Sequence, residues 1–209
     1  TAAETATQSL IVPPEIDPTQ AIDFFVANGW QRAGVEPSPR CDDATFVRRL
    51  YLDVLGRIPT PRERAEFLAQ GDSHKREALI DNLLIHPESG RHLAELFDVM
   101  LLGRPGRRMS DRRSESGWHE YLTESFQKNR PWNLMARDMV VARATDATDV
   151  RAGWFLYERR NEHQAIAEAV APSFFGIRIE CAQCHDHPLA SEIYQSHYWG
   201  LVAFFNRGK

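Results

Sequence analysis

Apolar residues recur at intervals of three and four along almost the whole chain from residue 18 onward. This spacing places them on one face of successive helices. The sequence contains no pair of alternating runs joined by a hairpin turn, and no internal repeat. The pattern predicts an all-α protein, a multi-helix bundle. It is clearest in one run that ends at Gly56: Phe46, Val47, Leu50, Tyr51, Val54 and Leu55.

Start and stop signals locate the helices. A first helix is predicted from Pro18 to Gly34, with an apolar stripe at Ala21, Phe24, Phe25 and Trp30. Thr60, Pro61 and Glu63 match a capping box with proline at the first helical position. Further helices are predicted over 74–85, 88–102, 114–129, 131–143, 162–176 and 191–205.

Three segments fall outside this pattern. Residues 1–17 are small and polar with a Pro13-Pro14 pair, and they are predicted to form an N-terminal tether or arm. Residues 18–209 are then a single helical domain. Within it, residues 103–113 are predicted to be a loop and residues 144–153 a flexible connection, because both break the apolar period.

Five arginines cluster in residues 103–113, which is unusual in an acidic chain. A solvated loop is one interpretation of this cluster. The other is an anion site, in which Arg107 and Arg108 contact a cofactor propionate or an acidic patch of a partner.

Composition and charge exclude several classes. The chain has 209 residues, 43% of them hydrophobic, with a net charge of −4, which is ordinary for a globular protein. The charge gives no general reason to expect nucleic acid as a partner, and no apolar stretch is long enough for a transmembrane helix. A chain of this length buries a core without disulfides, so its three cysteines need another explanation.

Residues 181–185 read Cys-Ala-Gln-Cys-His, the C-x-x-C-H signature of covalent c-type haem attachment. Two thiols three residues apart on a helical turn can add to the two vinyl groups of one porphyrin. The adjacent His185 then lies under the ring as the proximal iron ligand. The sequence therefore predicts a haem-attachment helix near the C-terminus, with Cys181 and Cys184 as the thioether residues.

Two alternatives remain open for this motif. Cys181, Cys184, His185 and His187 have the thiolate and imidazole groups of a zinc site, although all four lie within seven residues. The two cysteines could instead form a structural disulfide or a redox pair, although the βαβ context of a thioredoxin motif is missing. Cys41 is predicted to be a half-buried structural residue.

The chain resembles a planctomycete domain family of cytochrome-like proteins, PSCyt2 or DUF1549. The resemblance rests on residues 48–61 (RRLYLDVLGRIPTP), on NRPW at 129–132, on FGIR at 175–178 before CAQCHDHP, and on YWGLVAFF at 198–205. It implies a bacterial extracytoplasmic protein with haem c, cut from a longer secreted chain with a neighbouring domain. The family's activity is unknown, so the resemblance supplies no substrate or redox partner.

The ligand on the other face of the iron would separate an electron carrier from an enzyme. His92 is the first candidate, because Arg91-His92 resembles a pair in the family and the pattern turns His92 inward with Leu96 and Val99. His187 is expected to have a local structural role. Weaker candidates are His119, His163, Met100 and Met139. An apolar wall around the cofactor is expected from Phe174, Phe175, Trp199, Phe204 and Phe205.

Three functions follow from the sequence. The first is a monohaem c-type cytochrome domain that carries electrons outside the cytoplasm. The second is a haem enzyme of peroxidase or reductase type with an open sixth iron position. The third is a surface module without redox activity, in which the C-x-x-C-H segment binds zinc or forms a disulfide.

Overall fold

The computed structural model describes residues 16–141, 149–160 and 162–206, and these residues form helices and no strand. The prediction of an all-α class is confirmed. The α-helices are α1 (Pro18–Ala33), α2 (Asp43–Leu55), α3 (Pro61–Ala69), α4 (Lys75–Leu84), α5 (Pro87–Leu102), α6 (Arg107–Glu115), α7 (Trp118–Gln127), α8 (Trp132–Val141), α9 (Trp154–Tyr157), α10 (His163–Val170) and α11 (Gln195–Phe205). No helix among the described residues is both long and apolar enough to cross a membrane.

The chain divides into two compact units, one up to Asp42 and one from Asp43 onward. In the first unit, Asp17 caps α1 by accepting a hydrogen bond from the Thr19 backbone N–H, and Gly34 ends the helix in the left-handed conformation. Phe25 and Trp30, two members of the predicted stripe, are exposed. Residues 1–15 of the predicted tether lie outside the described residues.

The largest core of the second unit is built around α7, which packs against α5. Trp118, Tyr121 and Leu122 of α7 are fully buried, and Met135 and Met139 of α8 pack in the same cluster. A second cluster joins α2, α3 and α4 through Val47, Tyr51, Leu55, Phe67 and Leu83.

A third cluster joins α10 and α11 to the segment between them. Its buried members are Ala167, Ala171, Ile179, Ala182, Tyr198 and Val202. Phe205 packs against both this cluster and the core around α7, so α11 is attached to the body of the second unit.

The prediction of a loop over residues 103–113 is wrong from Arg107 onward, where α6 begins. Gly106 is the N-cap of this helix. The helix contains too few apolar residues to give a periodic pattern. Arg113 is not solvated: it is 1% exposed and bonds to Asp98 and Glu158. Arg107 and Arg108 are exposed in the first turn of α6.

The predicted connection over 144–153 is also partly wrong. Residues 144–148 lie outside the described residues, but Val150–Gly153 form a 3₁₀ turn that leads directly into α9. The helix predicted over 162–176 is α-helical as far as Val170 and becomes a π-helical turn over Ala171–Phe175. Pro172 lacks the N–H of a regular helix, which accounts for the change of register.

The inward orientation predicted for the face of α5 that carries His92 is wrong for Leu96 and Val99, whereas His92 itself is half-buried. Leu96 is 52% exposed and Val99 is also exposed, whereas the buried side of α5 is formed by Ala94, Asp98 and Leu101. Apolar residues occur on both sides of this helix, so periodicity alone could not select the side that meets α7.

Candidate functional site

The C-x-x-C-H segment lies between the π-helical turn and α11. Its first residues form a single 3₁₀ turn, Glu180–Gln183, where a haem-attachment helix was predicted. Ala182 is fully buried beside Ile179 in the third cluster. Cys181 and Cys184 are exposed, and both are free cysteines. The motif is therefore anchored by its central alanine, with both thiols reachable from solvent.

The backbone of this turn is held by side chains of α11. The Gln183 carbonyl oxygen accepts a hydrogen bond from Gln195 Nε2 at 3.0 Å and another from Trp199 Nε1 at 3.2 Å. Since Gln195 and Trp199 are one helical turn apart, they lie on the same face of α11. This face holds the carbonyl group of the residue that precedes Cys184.

The residues after the motif are also bonded locally. Asp186 Oδ1 accepts from the Gln195 backbone N–H at 2.9 Å, which satisfies a free donor at the start of α11. His187 Nδ1 accepts from the backbone N–H groups of Leu189 (3.2 Å) and Ala190 (3.0 Å). These bonds give His187 a role in shaping the 187–190 turn and occupy one of its two ring nitrogens.

His185 is exposed, and its Nδ1 lies 2.7 Å from the Asp186 carbonyl oxygen. A carbonyl oxygen only accepts, so this contact requires the proton on Nδ1. The neutral ring then has its lone pair on Nε2, which is the form that binds a metal ion.

The platform under the motif is the pair α10 and α11, joined by Tyr198. Its hydroxyl group donates to Glu168 Oε1 at 2.8 Å. Burial, together with the negative charge of Glu168, raises the pKa of Tyr198 to about 12. The hydroxyl therefore stays protonated and keeps this bond throughout the neutral range.

The predicted apolar wall is divided between core and surface. Phe174 and Phe205 are partly buried against the core around α7. Phe175 is 67% exposed, and Trp199 and Phe204 are exposed too. Trp199 is the member whose position is tied to the motif, because its indole nitrogen bonds to Gln183.

The candidates for a distal iron ligand are dispersed. His92 packs its ring against Gly56 after α2, and His119 lines a cleft with Arg91 and Glu95. Met139 is fully buried in the core around α7, whereas Met100 is exposed and not a core residue. His163 is the first residue of α10. Among the described contacts, none joins these residues, or Arg107 and Arg108, to the Cys181–His185 turn.

The side chains of the motif include the donor groups that covalent haem attachment uses. The described residues contain no group of three or more His, Cys, Asp or Glu side chains that could hold a metal ion. Thioether attachment needs only two free thiols and one imidazole with a free nitrogen. Cys181, Cys184 and His185 meet those requirements.

The fold and site define a class of protein: an all-α domain with a C-x-x-C-H turn at its surface. Residues 21–209 match the model of a family described as a protein of unknown function (DUF1549), PSCyt2. The chain belongs to this family. No curated protein and no solved structure shows significant similarity to it.

Some residues of the site were missed by sequence reasoning. Gln195 and Glu168 hold the turn and its platform, but their partners lie 12 and 30 residues away along the chain. Asp186 was missed for the same reason, because it lies nine residues before Gln195, outside the range of a local capping signal.

Proposed function

We propose that this domain is a monohaem c-type cytochrome domain that carries electrons outside the cytoplasm. Cys181 and Cys184 would hold the porphyrin through thioether bonds, and His185 would bind the iron through Nε2. One-electron exchange between ferric and ferrous iron is the chemistry that the group supplies when bound.

The observation that carries the proposal is the combination of exposed thiols and a fixed backbone. Cys181 and Cys184 are accessible and free, whereas the residues between them are anchored by Ala182 and by two hydrogen bonds to Gln183. The chain thus presents both thiols without having to unfold. Preorganisation of this kind reduces the entropic cost of binding.

The other residues of the turn support this role. Asp186 fixes the His185 tautomer through its carbonyl oxygen. Exposed Trp199 provides apolar surface beside the motif, and contact with it would exclude water from one side of a bound ring. Because the motif is on the surface, a redox partner protein can approach it directly.

Cysteine variants test the attachment. We expect Cys181→Ala and Cys184→Ala each to keep one thioether bond, and the double variant to lose all haem that survives denaturation. The measurement is the intact mass under denaturing conditions, with pyridine haemochrome spectra, after expression in a host that attaches c-type haem. Cys41→Ala, which removes the third cysteine, should retain one haem per chain.

Two results would refute the attachment. One is covalent haem in the double variant. The other is a folded wild-type protein without haem but with one zinc ion per chain, which would support the surface module with a zinc site.

A haem enzyme with an open sixth iron position is the second candidate. Two of the predicted distal ligands are held by other contacts: the ring of His92 packs against Gly56, and Met139 is enclosed in the core around α7. This favours an iron whose sixth position has no protein ligand. Carbon monoxide separates the candidates. Tight binding by the reduced protein supports the enzyme, and a low-spin spectrum unaffected by carbon monoxide supports the electron carrier.

A further inference from the structure

A cleft between α2 and α3 is lined by three arginines. Arg48 and Arg49 come from α2 and Arg64 comes from α3, and the cleft has a volume of about 620 Å³. The rest of its lining is Ala44, Thr45, Ile58 and Pro59. None of the described residues that line it carries a carboxylate, so these residues do not neutralise the positive charge of the arginines.

Within the part of the chain that the structure describes, no acidic partner is found within ion-pair distance for these three guanidinium groups. Three acidic side chains of α2 and α3 are engaged by other cations. Glu63 pairs with Arg57, Glu66 with Arg62, and Asp43 with Lys75 and Arg76.

The scaffold holds these arginines on rigid elements. Val47 and Tyr51, on the other face of α2, are buried in the α2–α4 cluster. The start of α3 is fixed by the reciprocal capping bonds of Thr60 and Glu63. Ala44 and Thr45 belong to the first turn of α2, where the helix dipole adds positive potential.

We propose that this cleft binds a tetrahedral oxyanion, as the phosphate or sulfate ester of a small molecule. Arginine presents a planar fork of N–H donors that matches phosphate and sulfate oxygens, and three arginines that line one cleft carry enough positive charge to neutralise a dianion. The volume exceeds that of a free ion, and Ile58, which is 55% exposed, provides an apolar edge for the organic part of an ester. The proposal is independent of haem attachment.

Calorimetric titration of the whole domain with four probes tests it: inorganic phosphate, inorganic sulfate, phenyl phosphate and phenyl sulfate, at matched ionic strength. We expect saturable binding that weakens with added salt, and an ester that binds at least as tightly as its free ion. Whichever pair of probes binds more tightly identifies the natural group as phosphate or sulfate.

Arginine variants locate the site. Arg48→Ala, Arg49→Ala and Arg64→Ala should each weaken binding about tenfold, because each removes a charged hydrogen-bond donor. Arg62→Ala is the matched control: it lies on α3, is exposed, is paired with Glu66 and is outside the cleft. Since all four positions are on the surface, circular dichroism should show the same helix content in every variant.

Three results would overturn the proposal. They are the absence of saturable binding of any probe to the wild-type protein, equal losses in Arg62→Ala and the cleft variants, and binding of free ions with exclusion of both esters.

Discussion

Arg113 is a charged side chain in the interior, and its neighbours explain how it is tolerated there. It donates to Asp98 at 2.9 Å, to Glu158, and to the carbonyl oxygens of Leu102 and Gly103 at 3.0 and 2.9 Å. Trp118 Nε1 bonds to the other Asp98 oxygen at 2.9 Å. All the N–H donors of the Arg113 guanidinium and both oxygens of Asp98 are hydrogen-bonded, so the cost of removing these charges from water is offset. The network joins α5, α6, α7 and the end of α9.

Removing one charge from this network should be costly. We expect Asp98→Asn to lower the free energy of unfolding by about 3 kcal/mol, because it leaves the buried Arg113 only partly compensated. Urea unfolding followed by circular dichroism measures the change. Asp111→Asn, on the exposed side of α6, is the control and should be close to neutral. Equal losses of unfolding free energy in the two variants would show that the buried network does not stabilise the fold more than an exposed carboxylate does.

At the residue scale, what could be predicted depended on distance along the chain. Cys181, Cys184 and His185 can be recognised as candidates from the sequence because their chemistry lies within five consecutive residues. Arg113 was taken for part of a loop because its partners, Asp98 and Glu158, are 15 and 45 residues away. No local pattern identifies such pairs.

The α3 capping box is connected to a wider ion-pair network. Glu63 accepts from the Thr60 backbone N–H and also from Arg57, which bonds to Glu88 at the start of α5 as well. Hydrogen bonds from Arg57 lower the pKa of Glu63 from 4.5 to about 2. This carboxylate therefore joins the α2–α3 connection to α5.

Because the pKa of Glu63 is lowered in the folded protein, the contribution of this carboxylate to stability depends on pH. The stabilisation is fully present above pH 4.5 and is lost as pH falls towards 2, because protonation removes the charge that Arg57 binds. We expect Glu63→Gln, which retains the capping geometry, to cost about 1 kcal/mol at pH 7, a value that allows for solvent screening.

Chemical denaturation at a series of pH values tests this expectation. The difference between wild type and Glu63→Gln should shrink between pH 4.5 and pH 2. Glu66→Gln, in an exposed pair with Arg62, should show a much smaller difference throughout. A Glu63→Gln difference that does not change with pH would rule out the ion pair as its source.

At the element scale, strong local signals gave correct predictions. The Thr60 capping box and the Gly34 stop are confirmed, because caps depend on neighbouring residues alone. The polar helix α6 was missed, since its burial depends on one arginine and not on an apolar stripe. The π-helical turn over Ala171–Phe175 was missed because periodicity does not register one inserted residue.

At the scale of the whole molecule, the core does not depend on the C-x-x-C-H turn. Most of the large side chains that are fully buried, including Trp118, Tyr121 and Phe155, lie in the cluster around α7. The turn contributes Ala182 to a separate cluster, whose large buried member is Tyr198. Protein hydrogen bonds to Gln183 hold the turn in place. The fold therefore has its own source of stability.

This independence predicts a folded protein without cofactor. The Cys181→Ala/Cys184→Ala double variant should keep the wild-type helical circular dichroism signal and unfold cooperatively, at a lower temperature than protein carrying the group. A double variant that loses its helical signal would show that the fold requires attachment at the motif.

The intact mass of the domain tests the central claim most directly. It is measured under denaturing conditions, after expression in a host that attaches c-type haem. Attachment through Cys181 and Cys184 predicts the mass of the chain plus one haem. The mass of the bare chain, obtained from protein that is folded before denaturation, would contradict a c-type cytochrome domain.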